Sequence, residues 1–224
     1  MKHTEKELQA LKDEVTQMWK LVLSQLEKAK QAFLANDIEL AREIATREKR
    51  VDAFDLKIDS DCENYIALYN PVAIDLRLVL SLIKISNTLE RIGDFSEGIA
   101  AHVIADDCTK IDAQVIEDLQ IEQIFDLLIS MLSDSFVALE AENTRISGKI
   151  IAKDEEVDRL YREAVTILSE WIVNSGEQNI QKVRCALKLM LLIRKLERIG
   201  DHCSNIVEEI VFYIDAKVLK HGGK

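Results

Sequence analysis

The chain has 224 residues, 48% of them hydrophobic, and carries a net charge of −11 with one proline and seven glycines. That excess of acid disfavours a nucleic-acid binder, which needs a basic face for phosphates, and disfavours adsorption to anionic lipid. It favours cations as ligands and basic protein surfaces as partners.

So few helix breakers, in a chain rich in Leu, Ile, Ala, Glu and Lys, point to an all-α fold. The four cysteines, Cys62, Cys108, Cys185 and Cys203, show no C-x-x-C spacing and are expected to be reduced, core-type residues. Met1-Lys2-His3-Thr4-Glu5 is charged and lacks an apolar h-region, so no secretory signal is expected. No stretch reaches the roughly 18 apolar residues of a membrane span. The expectation is a soluble, cytoplasmic helical protein.

A first amphipathic helix is predicted from about Glu5 to Ala35, on the three-and-four spacing of Leu8, Leu11, Val15, Met18, Val22, Leu26 and Ala29. Asn36-Asp37 reads as a turn and N-cap. A second helix follows over Ile38 to Tyr69. Asn70-Pro71 is the clearest boundary, with the proline suited to the first position of a third helix ending near Asp106. Asp106 to Asp112 is the expected linker. A fourth helix is predicted over Ala113–Glu142, a turn at Asn143-Thr144, and a fifth helix over Arg145–Asn174. Ser175-Gly176 closes the fifth, with Gly176 suited to a left-handed cap. A sixth helix is predicted over Gln178–Val218, followed by a frayed tail, Lys220–Lys224. Trp19 and Trp171 sit on apolar stripes and are assigned to the core.

The hexapeptide Leu-Glu-Arg-Ile-Gly-Asp occurs at Leu89–Asp94 and again at Leu196–Asp201, an offset of 107 (201 − 94). Other matches agree: the turn at Asn36 with that at Asn143, and Val51-Asp52 with Val157-Asp158, the latter at 106 (158 − 52). The chain is therefore an internal duplication of a three-helix unit. Two tandem bundles are expected, 1–108 and 109–224, each of antiparallel neighbours.

In each hexapeptide a glutamate and an aspartate stand four apart, on one helix face one turn apart: Glu90 with Asp94, and Glu197 with Asp201. The preceding helix of each half carries a second such step, Glu48 with Asp52 and Asp154 with Asp158. A single acid pair is ordinary solvated surface in a chain that is 31% charged. Recurrence at equivalent places in both halves argues for a shared role. Four converging carboxylates would repel and resist ionisation, and a cation relieves that conflict. Oxygen-only clusters suit hard ions such as Mg²⁺, Ca²⁺, Mn²⁺ or iron.

Gly93 and Gly200 each cost their helix roughly 1 kcal/mol relative to alanine, so a close approach by a neighbouring helix or a ligand is expected there. Arg91 and Arg198 either neutralise the acids or present a positive edge. Arg47, Lys49 and Arg50 are candidate partners of the Glu48/Asp52 pair. Asp55, Glu97, Asn205 and Glu208 lie one turn away as candidate outer ligands. His202 follows Asp201, but its counterpart is Phe95, so a ligand role there breaks the symmetry. Gly-rich phosphate loops, G-x-S-x-G and the E-x-x-H step of di-iron bundles are absent. A carboxylate-bridged metalloenzyme and a metal-free helical interaction module remain as alternatives on the residues alone.

The twin hexapeptide, with Asp75-Leu76-Arg77 before the first copy and Asp201-His202-Cys203-Ser204-Asn205-Ile206 running on from the second, resembles the PhoU family of bacterial phosphate-signalling regulators. The resemblance implies two similar three-helix bundles. It implies metal ions (iron, zinc, manganese or magnesium), in the family as multinuclear clusters, on Glu48, Asp52, Glu90, Asp94, Asp154, Asp158, Glu197 and Asp201. It also implies a non-enzymatic role. The protein would repress the phosphate response when phosphate is plentiful, by contacting the phosphate ABC transporter ATPase and a membrane sensor histidine kinase, and would act as a homodimer. One departure is visible: Lys182-Val183-Arg184 stands in the second half where Asp75-Leu76-Arg77 stands in the first.

Overall fold

The computed structural model describes residues 3–105, 113–174 and 180–219. Among these residues all regular structure is helical: α1 (His3–Ala35), α2 (Ile38–Tyr69), α3 (Ala73–Ala105), α4 (Ala113–Asp118), α5 (Ile121–Glu140), α6 (Ser147–Val173) and α7 (Ile180–Asp215). The expected linker at 106–112 (with Cys108 and the 108/109 boundary), the cap at Gly176 and the tail at 220–224 lie outside the described residues.

The α1 stripe is buried as its spacing requires, from Leu11 through Val15, Met18, Trp19, Val22, Leu26 and Ala29 to Ala32. Asn36 then takes a left-handed φ of 50°, and Asp37 caps α2 by accepting from the Leu40 amide at 3.0 Å.

Two boundaries differ from expectation. Pro71 is not the first residue of α3. Asn70 instead terminates α2 in the left-handed region, its N–H donating to the Ile66 carbonyl, and the chain crosses Pro71-Val72 before α3 starts at Ala73. The predicted fourth helix is two helices, broken at Leu119-Gln120 where Gln120 has φ 51°. Leu119 is buried at this break. The kink turns its side chain into the core, which a continuous amphipathic helix does not need.

α1, α2 and α3 pack on one another, as do α5, α6 and α7, giving two duplicated three-helix bundles. The bundles join along two seams. In the first, Arg77 Nε donates to the Tyr213 carbonyl (3.1 Å), Ser81 Oγ to the Glu209 carbonyl (3.2 Å), and Phe95 stacks on His202 (5.6 Å). Rising numbers on α3 meet falling numbers on α7, so the two hexapeptide helices run antiparallel. In the second seam α1 meets α5 the same way, through Lys12–Glu142, Thr16–Glu140, Trp19–Leu132 and Lys30–Asp126. α2 and α6 flank this four-helix layer.

Trp19 is core, its indole N–H donating to the Leu132 carbonyl at 3.1 Å. Trp171 is only half-buried, with the Lys182 amine 5.5 Å from its ring, which corrects its core assignment. Cys62, Cys185 and Cys203 are free and buried. Burial pushes the Cys62 thiol up to about 12 and Cys203 higher still, so neither is a thiolate at neutral pH. No described helix is long and apolar enough to cross a membrane.

Candidate metal centres

The two acid steps of the first half lie on adjacent helices, Glu48 and Asp52 on α2, Glu90 and Asp94 on α3. Gly93 explains how they meet. A Cβ on Gly93 would stand 2.9 and 3.1 Å from the two Glu48 oxygens and 3.2 Å from Val51 Cγ1. The second half repeats the device: a Cβ on Gly200 would stand 2.6 Å from Asp154 Oδ1. The close approach expected at the glycines is thus the first acid of the preceding helix, seated against bare backbone.

Glu48 is 6% exposed. Gln25 of α1, itself fully buried, donates Nε2 to Glu48 Oε2 at 3.1 Å, while Glu48 Oε1 has no hydrogen-bond partner. Burial above all, then Asp94, Asp52 and Glu97, push the Glu48 carboxyl up to about 7, against the Gln25 bond that favours its ionised form. Burial, followed by Asp94, Asp55 and Asp52, raises Glu90, and Arg91 partly offsets this. Burial and then Asp52 raise Asp94, against Arg91 and Lys195. Asp94 and Asp52 therefore act on both Glu48 and Glu90. Asp55 accepts from Ser86 Oγ (2.7 Å) and Asn87 Nδ2 (3.0 Å), which turns it toward α3 as well.

In the second half, burial and then Asp201 raise Glu197, Arg198 and Arg194 oppose this, and Asp154 adds to it. Asp154 accepts from Ser204 Oγ at 2.8 Å, Asp201 pairs with Arg198 at 3.2 Å, and Asp158 faces Arg162 at 3.8 Å. Arg47, expected beside Glu48 and Asp52, pairs instead with Glu43 at 2.6 Å. His202 is buried against Phe95 with both ring nitrogens unpartnered. Burial first, then Arg198 and Arg91, hold it near 4, so it is neutral at neutral pH.

Two participants escaped the sequence reading. Gln25 was legible as a polar residue on an otherwise apolar stripe. Ser204, at the position equivalent to Glu97, carried no such signal.

Among the described residues no three His, Cys, Asp or Glu side chains already converge as a ligand shell. The donor chemistry nevertheless fits a hard cation: clustered carboxylates that resist ionisation, and the unpartnered buried Glu48 Oε1.

The pattern of the PhoU domain matches residues 15–103 and again 121–210, one match per bundle. The chain belongs to the PhoU family. It is 31% identical to the phosphate-specific transport system accessory protein PhoU homolog 1 of Thermotoga maritima, over 97% of this chain and 91% of that one. It is 29% identical to the phosphate-specific transport system accessory protein PhoU of Escherichia coli K12, over 97% and 87%. The crystal structure of the phosphate transport system regulatory protein PhoU from Streptococcus pneumoniae superposes with a TM-score of 0.84 at 27% identity, covering 98% of this chain and all of that one. PhoU from Pseudomonas aeruginosa gives 0.84 at 25% identity, over 95% and 99%. The duplicated PhoU unit thus accounts for both the twin hexapeptide and the paired bundles.

Proposed function

We propose that this chain is a non-enzymatic regulator of phosphate uptake that carries metal ions on its paired carboxylates. Its PhoU relatives are phosphate transport accessory and regulatory proteins, which supports the phosphate role. The observation that carries the metal role is the burial of Glu48 against Gly93, within reach of the charges of Asp94, Asp52 and Glu97. Glu48, Asp52, Glu90 and Asp94 would hold metal in the first bundle, and Asp154, Asp158, Glu197 and Asp201 in the second. A metal cation, iron, zinc, manganese or magnesium, neutralises these acids and ties α2 to α3 and α6 to α7. The acidic protein then docks, as a homodimer, on basic faces of the phosphate ABC transporter ATPase and the sensor histidine kinase, and holds the response off when phosphate is plentiful.

Two measurements test this separately. Deletion of the gene should derepress a phosphate-regulon reporter at high phosphate, with repression restored by the wild-type chain; continued repression in the deletion strain sinks the phosphate role. Elemental analysis of protein purified without chelator should find metal that Glu90→Gln/Asp94→Asn reduces. Trace metal only in the wild type removes the metal role and leaves the phosphate role standing.

A further inference from the structure

The duplication supplies an internal reference for every position of the α3–α7 seam, and its two ends differ sharply. At one end Glu209 of α7 accepts from Lys84 of α3 at 2.9 Å, with Ser81 Oγ at 3.5 Å and the Phe212 ring 5.6 Å from the Lys84 amine. That end is closed by the protein's own carboxylate and ring.

At the other end, 107 residues away in register, each of those groups is exchanged. His102 stands where Glu209 does, Ala105 where Phe212 does, Ala101 where Glu208 does, and Gly98 where Asn205 does. On the facing helix Lys188 stands for Ser81 and Lys195 for Thr88. Leu191 stands for Lys84, so the acid and the bulk are gone, one amine is lost and two are gained. What remains is a cleft of about 280 Å³ lined by these six residues together with Leu191 and Leu192.

We propose that this cleft binds a small, doubly charged oxyanion, with inorganic phosphate as its test ligand. No carboxylate is among its described lining residues, although acids outnumber bases 40 to 29 in the chain. Lys195 is half-buried and forms no ion pair among the described residues. Its amine lies along the bare backbone of α3, where a Cβ on Gly98 would stand 2.7 Å from Nζ. A lysine so placed is a point-charge anion binder, and the half-buried His102 ring adds an N–H donor. The volume lies just below the roughly 300–1,000 Å³ of sites for drug-sized molecules. It equals about nine waters at ~30 Å³ each, room for an inorganic oxyanion with part of its hydration rather than a nucleotide. None of the eight candidate metal ligands lines the cleft, although the Lys195 charge also reaches Asp94.

The test is calorimetric titration of the full chain with sodium phosphate at low ionic strength. Saturable one-to-one binding is expected, weakened about tenfold or more by Lys195→Ala. His102→Glu installs the acid that the other end already holds, and should remove binding while circular dichroism stays helical. If that variant does not fold, Lys195→Ala carries the test. Lys84→Ala, at the closed end, should bind as wild type does. No saturable binding to the wild type, unchanged affinity in Lys195→Ala, loss of binding in Lys84→Ala, or ATP binding tighter than phosphate would each overturn the proposal.

Discussion

At the scale of single residues, Gly93 and Gly98 make a controlled pair on one helix. Both lie inside α3 and clear of its last turn, and alanine gains each about 1 kcal/mol of helix propensity. Their surroundings decide the sign. A Cβ at Gly93 meets the buried Glu48 carboxylate and Val51, neither of which can retreat without disturbing the core. A Cβ at Gly98 meets the far end of Lys195, which swings aside cheaply. Gly93→Ala should therefore lower stability by about 1–2 kcal/mol net and reduce bound metal, while Gly98→Ala should be neutral or slightly stabilising. Urea unfolding of both variants, with metal analysis, checks this; equal effects would contradict it.

Glu48 gives the pH counterpart. Its folded pKa of about 7 is raised above the ordinary value of 4.5, so the folded state holds a proton that the unfolded chain gives up. The stability this contributes is full below 4.5 and is lost as pH rises to 7, by roughly 3 kcal/mol at most. Metal-free protein should melt lower at pH 8 than at pH 5 through this group. Glu48→Gln should flatten that slope and raise the melting temperature at pH 8. A slope unchanged by the substitution would mean that other groups set it.

At the scale of elements, the repeat was legible because identical residues recur at one offset, and helix ends were legible where Asn36-Asp37 and Asn70-Pro71 mark them. The break between α4 and α5 was not. It lies at Leu119-Gln120, with neither glycine nor proline, and rests on Gln120 holding φ 51° so that Leu119 can be buried. Tertiary packing there overrides a sequence that reads as one continuous helix. A left-handed conformation costs a non-glycine residue about 1–2 kcal/mol, part of which glycine returns as backbone entropy on folding. Gln120→Gly should therefore stabilise the protein by about 0.5–1 kcal/mol in urea unfolding. Destabilisation would show that the Gln120 side chain is itself needed at the break. The carboxylate pairs were legible by the same recurrence as the helices, whereas the seating of Glu48 and Asp154 on glycine required the helix crossing to be seen.

At the scale of the whole molecule, the duplication makes two carboxylate clusters that are alike in backbone and unlike in charge. Among the described residues Glu48, Asp52, Glu90 and Asp94 form no ion pair, and Asp55 and Glu97 add to their repulsion. In the second bundle Arg198 already pairs with Asp201 and Arg162 faces Asp158, while Ser204 replaces the acid at the position of Glu97. A cation entering the first cluster relieves like-charge repulsion directly. One entering the second must first displace arginines, each worth about 0.2–1 kcal/mol in such exposed pairs, and gains fewer negative ligands. Affinity for hard cations rises with the charge of the ligand set, so the first bundle should hold metal about tenfold more tightly. Stepwise chelation of the loaded protein should empty the second bundle first. Glu48→Gln/Glu90→Gln should then remove the slowly released fraction, and Asp154→Asn/Glu197→Gln the rapidly released one. Release of both fractions at one rate, or the reverse assignment, would show that the arginines of the second bundle do not compete with the metal.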